Sequence, residues 1–275
     1  MNEDSAGYCY VYNAQKKLVN ELAWDGAWFR RAIMDDGRYL GSDKEEQAKI
    51  WLNAQTWSVI SEMAEDDKGR KAMDSVYEML NSPLGIKKIH PSIKDYPSKE
   101  NPLTNYNKGC GENGAIFCHA NTWAIIAECI LGNGDRAFEY YHQLLPMVAQ
   151  QKAGEWRYKA EPYVYSSNIF GPESDKFGLA NVSWLSGTAA WMQVAITEYI
   201  LGIKPVWEGL KIAPCIPKEW DGFTASRKFR GVTYDIEVLK TDEQPYIEVD
   251  GMKIDGDVVK TDSKKDSIKV KAFIN

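Results

Sequence analysis

The stretch best equipped for chemistry is Gly111-Glu112-Asn113-Gly114-Ala115-Ile116-Phe117-Cys118-His119-Ala120-Asn121-Thr122-Trp123, a polar, glycine-containing loop that delivers a histidine to the start of a helical pattern. A helix N-terminus offers unpaired N–H groups and the positive end of the peptide dipoles, and an imidazole there can donate to a phosphate or carboxylate oxygen. A second junction, Ser183-Trp184-Leu185-Ser186-Gly187-Thr188-Ala189-Ala190-Trp191, sets a hydroxyl and a glycine before another helix. Gly187 permits close backbone approach, and Ser186 or Thr188 can donate a hydrogen bond. Each junction has a plainer reading when taken alone: a capping or satisfied buried His in the first, an N-cap followed by a small-residue packing face in the second. Two such junctions in equivalent places of one fold favour a shared anion.

Other segments are less specific. Glu161-Pro162-Tyr163-Val164-Tyr165-Ser166-Ser167-Asn168 is aromatic and hydroxyl-rich, as a sugar-binding or a purely structural loop would be. Trp24 to Arg31 and Asp35-Asp36-Gly37 bring aromatics and carboxylates that could line a carbohydrate pocket, although solvated Asp and Asp-Gly turns are common. With 10 Trp and 15 Tyr, the chain either has an aromatic core or a surface that stacks on sugar rings.

The elements that must position these residues fall into two regimes that meet near Gly202. Before it, Ser42-Asp43-Lys44-Glu45 has the form of a capping box opening a helix with Trp51, Ala54, Trp57, Ile60 and Ala64 on one face. Asp67 is expected to cap the next helix. Asn121 and Thr122 precede a helix stopped by Gly132-Asn133-Gly134, Asp135 to Met147 is its antiparallel partner, and a last helix runs from about Thr188 to Leu201. The helices carry a repeat: Thr56-Trp57-x-x-Ile60-x-Glu62 returns as Thr122-Trp123-x-x-Ile126-x-Glu128, and Ala190-Trp191 begins a weaker third copy. Helix pairs repeated at such a period predict an αα-toroid, with the long loops 83–118 and 150–184 gathered at one mouth. After Gly202 the pattern is β, with runs at Leu210–Ile212, Phe223–Ser226, Val232–Val238, Tyr246–Val249, Val258–Lys260 and Ile268–Phe273, and turns at Asp250-Gly251 and Asp255-Gly256. These predict a small antiparallel β-sandwich.

Composition narrows the function. The 33 Lys and Arg against 39 Asp and Glu leave a net charge of −6, which argues against a nucleic-acid footprint. The five cysteines lack CxxC spacing and the three histidines lack ligand spacing, so reduced thiols and no metal are expected. The apolar run from Ile125 to Leu131 is interrupted by Glu128 and is far short of a membrane span, and residues 1–5 do not resemble a secretory signal, so the expected location is the cytoplasm.

Taken in order, four segments resemble the glycoside phosphorylases of the cellobiose, cellodextrin and chitobiose phosphorylase family, glycoside hydrolase family ninety-four. They are Trp28-Phe29-Arg30-Arg31 with Asp35-Asp36-Gly37, Glu112 to His119, Glu161 to Tyr165, and Ser183 to Ala189. The resemblance implies a mainly α chain with a β domain: the C-terminal part of an (α/α)6 barrel over residues 1–203 and a small antiparallel β-sandwich over 204–275. It implies an inverting β-glucoside phosphorylase, in which one Asp protonates the leaving oxygen while phosphate, as co-substrate and in place of any cofactor, attacks the opposite face of the sugar. Carried over by motif, His119, Ser186 and Gly187 would hold phosphate. Glu112, Tyr106, Tyr165 and Ser167 would face a β-linked gluco-oligosaccharide. Ser167 stands where the family carries Gln, and Gly111 where it carries Lys. The family's acid-bearing segment, Asp-Trp-Asn-Asp-like and upstream of the Trp28 motif, has no counterpart here, so the chain is expected to be a C-terminal portion without its own general acid. An open half-toroid exposes an apolar face, and the missing N-terminal half or a second copy is the expected partner. The rival readings are a non-catalytic carbohydrate- or anion-binding scaffold and, less favoured, an (α/α)-barrel hydrolase using a carboxylate pair such as Asp25 and Glu161.

Overall fold

The computed structural model describes residues 2–94, 106–262 and 264–275. It has a mostly helical part followed by a part built of strands. α1 (Asn2–Leu18) runs into a π-helical turn (Val19–Ala23), and Tyr8, Tyr10 and Val11 on it are exposed. The helical core is then built by α2 (Leu52–Ile60), α3 (Lys68–Leu80), α4 (Cys118–Ile130), α5 (Gly134–Leu144), α6 (Pro146–Ala153), the short α7 (Glu155–Tyr158) and α8 (Thr188–Val194), which continues as a π-helical turn over Ala195–Ile200. α4 lies at the centre and packs on α2, α5 and α8. Its Ala120, Ala124, Ile125, Ile126 and Ala127 are all essentially inaccessible, which explains a helix apolar on nearly every side with small residues where its neighbours approach.

The repeat has a physical counterpart. Thr56 and Thr122 are fully buried, each turning its hydroxyl back to the carbonyl three residues earlier, Asn53 O at 3.4 Å and His119 O at 2.7 Å. The repeated tryptophans meet edge to face in a row across α2, α4 and α8: Trp57 to Trp123 at 5.3 Å and Trp123 to Trp191 at 6.1 Å. The acidic position differs, since Glu62 falls beyond the end of α2 in a left-handed conformation, whereas Glu128 is buried on α4 beside Arg136.

Several boundaries depart from the sequence expectation. Ser42 to Glu45 forms a turn, with Asp43 N–H donating to Asp25 Oδ2 at 2.6 Å, and the helix begins only at Leu52. Asp67 occupies the N-cap position of α3 without a capping side-chain bond and pairs instead with Lys71. Asn121 and Thr122 lie inside α4, which starts at Cys118. Pro146 ends α5 and opens α6, because its ring supplies no N–H to continue the earlier helix. The loops 83–118 and 150–184 contain elements of their own: β3 (Ile50–Trp51) pairs with β4 (Ile89–His90), and β5 (Ile116–Phe117), β6 (Ser166–Ile169) and β7 (Ala180–Ser183) form a three-stranded sheet in that order. The remaining early strands, β1 (Ala32–Ile33) and β2 (Tyr39–Leu40), make a short hairpin.

Beyond Gly202, β8 (Ile203–Pro205), β9 (Gly209–Ile212) and β14 (Val258–Lys260) form one sheet in the order β14-β9-β8. β10 (Gly222–Phe229), β11 (Val232–Lys240), β12 (Tyr246–Val249), β13 (Met252–Ile254) and β15 (Ser267–Ile274) form another in the order β10-β11-β15-β12-β13. Leu210, Ile212 and Val259 from the first and Val232, Tyr234, Ile236, Val238, Ile268 and Val270 from the second share one core. The alternation along β11, with Val232, Tyr234, Ile236 and Val238 inward, is what produces that face. A wholly antiparallel arrangement was expected, but β11 and β15 are parallel, from Thr233↔Ser267 to Lys240↔Ile274. The long connection through β12 to β14 lets β15 return between β11 and β12 in the same direction as β11. Asp250-Gly251, both at positive φ, turn the β12–β13 hairpin as its sequence demands.

Candidate functional site

The small sheet β5-β6-β7 brings the two helix junctions together. β5 runs directly into α4 and β7 leads into α8, while β6 lies between them, pairing Phe117 with Asn168 on one side and Ser166 with Ser183 on the other. His119 is therefore in the first turn of α4 and Gly187 immediately before α8. They touch: a Cβ on Gly187 would lie 3.0 Å from His119 Cε1 and 3.1 Å from its Nδ1. A side chain here would press on the ring, which would have to shift by a few tenths of an ångström. Ser186 Oγ accepts the Thr188 N–H at 3.1 Å and is hydrogen-bonded to the buried Thr188 hydroxyl, a local turn that precedes α8, whose N-cap is Gly187.

The His119 ring is flanked by Trp123 at 4.9 Å and Trp191 at 6.0 Å, and its buried Nε2 has no hydrogen-bonding partner in the protein. Burial first, and then the Lys88 ammonium, hold its pKa below 6.5. The imidazole is thus neutral at pH 7, with one N–H to give. Lys88 pairs with Glu112 at 2.8 Å and stands over the Phe117 ring at 4.4 Å, so a cation, a carboxylate and an imidazole surround the start of α4. Cys118 beside them is no nucleophile, because burial pushes its thiol up to about 12.

The remaining sequence-derived residues are distributed as follows. Tyr106 is half exposed and its ring lies over Gly111, where a Cβ would come within 2.6 Å of it, so any side chain at position 111 would displace that ring. Tyr165 packs against the helical core, and burial pushes its phenol up. Ser167 is on β6, its Oγ 3.5 Å from Asn168 Nδ2. Glu161 and the exposed Trp184 join their two segments through the indole N–H, which donates to Glu161 Oε1 at 3.0 Å, with Tyr163 exposed close by in sequence. Asp25 is tied to Arg30 and to the Asp43 N–H, and Trp28 is buried and donates to Gly41 O and Lys49 O, so this segment is framework.

Sequence reasoning passed over Lys88 and Asn113. Lys88 sits in a loop with no motif around it. Asn113 is buried and clamps three strands of loop, donating to Ile93 O and Tyr106 O and accepting from the Ile93 N–H at 2.8 Å. Its place between Glu112 and Gly114 was a usable signal for a loop clamp. Among the described residues no His, Cys, Asp and Glu cluster is arranged to hold a metal ion, and no helix is long and apolar enough to cross a membrane.

Comparison with known proteins shows the family. Solabiose phosphorylase of Paenibacillus borealis is 35% identical over 247 residues, covering 88% of this chain and 32% of that protein. The N,N'-diacetylchitobiose phosphorylases of Vibrio furnissii and Vibrio proteolyticus are 39% and 40% identical, covering 84% and 80% of this chain and 29% and 27% of theirs. The chain spans about a third of the length of these curated relatives. Residues 2–202 match the catalytic-domain model of the glycosyl hydrolase 94 superfamily, and to that superfamily the chain belongs.

Proposed function

We propose that this chain supplies the phosphate-binding side of an inverting β-glucoside phosphorylase, one that converts a β-linked gluco-oligosaccharide and inorganic phosphate into α-glucose 1-phosphate and a shortened sugar. The observation that carries the reading is the contact of His119 with Gly187, two helix starts distant in sequence and adjoining in space. On this reading residues 1–203 are the C-terminal part of an (α/α)6 barrel and 204–275 a β-sandwich.

In the reaction, a phosphate oxygen attacks the anomeric carbon as the glycosidic C–O bond breaks, and the leaving oxygen takes a proton. The phosphate anion must be held in line with the anomeric carbon, and fixed donors lower the cost of doing so. The neutral His119 N–H, the Ser186 hydroxyl and the first-turn amides of α4 and α8 are such donors, with Lys88 as a nearby positive charge. Glu112, Tyr106, Tyr165 and Ser167 are assigned to the sugar side. None of the 275 residues matches the family's acid segment, so the proton donor is assigned to none of them.

Titration of inorganic phosphate, followed by calorimetry, tests the reading. The wild-type chain is expected to bind saturably, and His119→Ala and Gly187→Val to weaken binding about tenfold or more, each retaining a cooperative melt. Equal affinity in all three proteins, or no binding by the wild type, would overturn the site. Incubated alone with cellobiose and phosphate, the chain is expected to release no α-glucose 1-phosphate; robust release would overturn the assignment of the acid to a group outside these residues.

A further inference from the structure

All five cysteines are free thiols, and two of them, distant in sequence, line one cavity. Cys129 is at the end of α4, the helix that begins beside His119, and Cys215 lies in the segment after β9. The backbone holds that segment in place: Cys215 N–H donates to Ile200 O at 2.9 Å, and a Cβ on Gly134, just past α4, would come within 2.3 Å of Ile216 O and 2.9 Å of Cys215 O. The two thiols lie close enough for each to perturb the ionisation of the other. Both are only partly buried, and both line one cavity of about 930 Å³ whose other walls include Ile212, Tyr246 and Lys253. The remaining cysteines differ: Cys9 is exposed on α1, Cys118 is buried at the start of α4, and Cys110 lies in the loop before β5.

We propose that Cys129 and Cys215 form a reversible dithiol site that reacts with low-molecular-weight disulfides such as oxidised glutathione, and that the resulting bond staples α4 to the strand-built part of the molecule. The two thiols have unequal roles. The neighbouring Cys129 thiol favours a Cys215 thiolate and holds Cys215 below its ordinary range, whereas the neighbouring Cys215, together with burial, holds Cys129 well above it. Cys215 therefore attacks first: its thiolate forms a bond to one glutathione sulfur, the glutathione S–S bond breaks, and one glutathione leaves as a thiolate that takes a proton. Cys129 then gives up its proton to water and attacks Cys215 Sγ, expelling the second glutathione. Two protein thiols are oxidised, and one glutathione disulfide is reduced to two thiols.

The native chain is incubated with oxidised glutathione, its remaining thiols are alkylated after denaturation, and the peptides are mapped by mass spectrometry. The expected product is one internal link between the Cys129 and Cys215 peptides, reversed by dithiothreitol, with a melting midpoint raised by roughly 5 °C or more. C129S is expected to stop at a glutathione adduct on Cys215, and C215S to leave Cys129 at least about tenfold less reactive. Free Cys129 and Cys215 under conditions that fully modify the exposed Cys9 would overturn the proposal, and that mapping uses the wild type, so it requires no variant to fold. Equal reactivity of C129S and C215S would overturn the order of attack.

Discussion

His119 is where packing and chemistry are most closely linked. Its pKa lies below 6.5 because burial and Lys88 disfavour the imidazolium. The unfolded chain therefore binds a proton more readily than the folded one. His119's contribution to stability is full above about pH 6.5 and falls away as the pH drops from there through the folded value. A bound anion acts in the opposite sense, since it favours the charged ring. Sulfate, whose charge is constant in this range, separates the two effects. In NMR titrations the His119 ring is expected to titrate below 6.5 in the free protein and to move upward with saturating sulfate, each unit of movement corresponding to roughly tenfold tighter binding of sulfate by the protonated form. Sulfate affinity should rise as the pH falls toward the His119 pKa and should be flat over the same range in His119→Ala. An unchanged His119 titration in sulfate would count against contact between the ring and the anion.

At the scale of elements, the site depends on loops being pinned before the helices they serve. Glu173, in the loop between β6 and β7, is one such pin: it accepts the Ser92 N–H at 3.1 and 3.2 Å and lies 3.0 Å from His90 Nδ1, which is itself 3.0 Å from Lys87 Nζ. Burial works to raise its pKa, but the hydrogen bonds from His90 and Ser92 and the adjacent positive charge prevail and hold it below 4.5. Its stabilising contribution is then complete above about 4.5 and is lost as the pH falls through the folded value. Glu173→Gln should cost roughly 1–3 kcal/mol in urea unfolding at pH 7, and the gap to wild type should close on acidification. A gap that is constant with pH would assign Glu173 a packing role only. Interactions of this kind also mark where the sequence stops being legible. The helix–loop junctions around His119 and Gly187 could be read locally, because caps and glycines act over a few residues, and the strands after Gly202 could be read from alternation and turn residues. The exact first residue of α4 could not. Asn121 has the look of a cap, yet its side chain is spent on the backbone of Ile86, 35 residues away, accepting from its N–H and donating to its carbonyl. Lys88 was hidden for the same reason, since its partners Glu112 and Phe117 come from another loop. The parallel pairing of β11 with β15 likewise follows from sheet order, which residue alternation does not encode.

For the whole molecule, the question is whether the helical and strand-built parts behave as one body, because the proposed anion site lies at one end of α4 and the proposed dithiol at the other. The contacts across the seam include close backbone approaches at two glycines. A Cβ on Gly202, which takes a positive φ as the helix gives way to β8, would lie 2.1 Å from Ala213 O, and the one on Gly134 would lie 2.3 Å from Ile216 O. Trp220 stands edge-on to Phe138 at 5.1 Å, and Asp135 Oδ1 accepts the Lys218 N–H at 2.7 Å. A rotamer change cannot relieve a clash with a carbonyl, so Gly134→Ala must push the 215–218 segment away from α5 and loosen those contacts together. The expected cost is about 1–3 kcal/mol, read as a lower midpoint of a single cooperative transition seen both in the far-ultraviolet helical signal and in tryptophan fluorescence. Gly132→Ala serves as a neighbouring control: no atom lies within 4 Å of its added Cβ, so its cost comes only from the positive φ at that turn and leaves the seam closed. If Gly134→Ala instead split the melt into two transitions, one helical and unchanged, the two parts would fold independently, and oxidation at Cys129 and Cys215 would not be felt at His119.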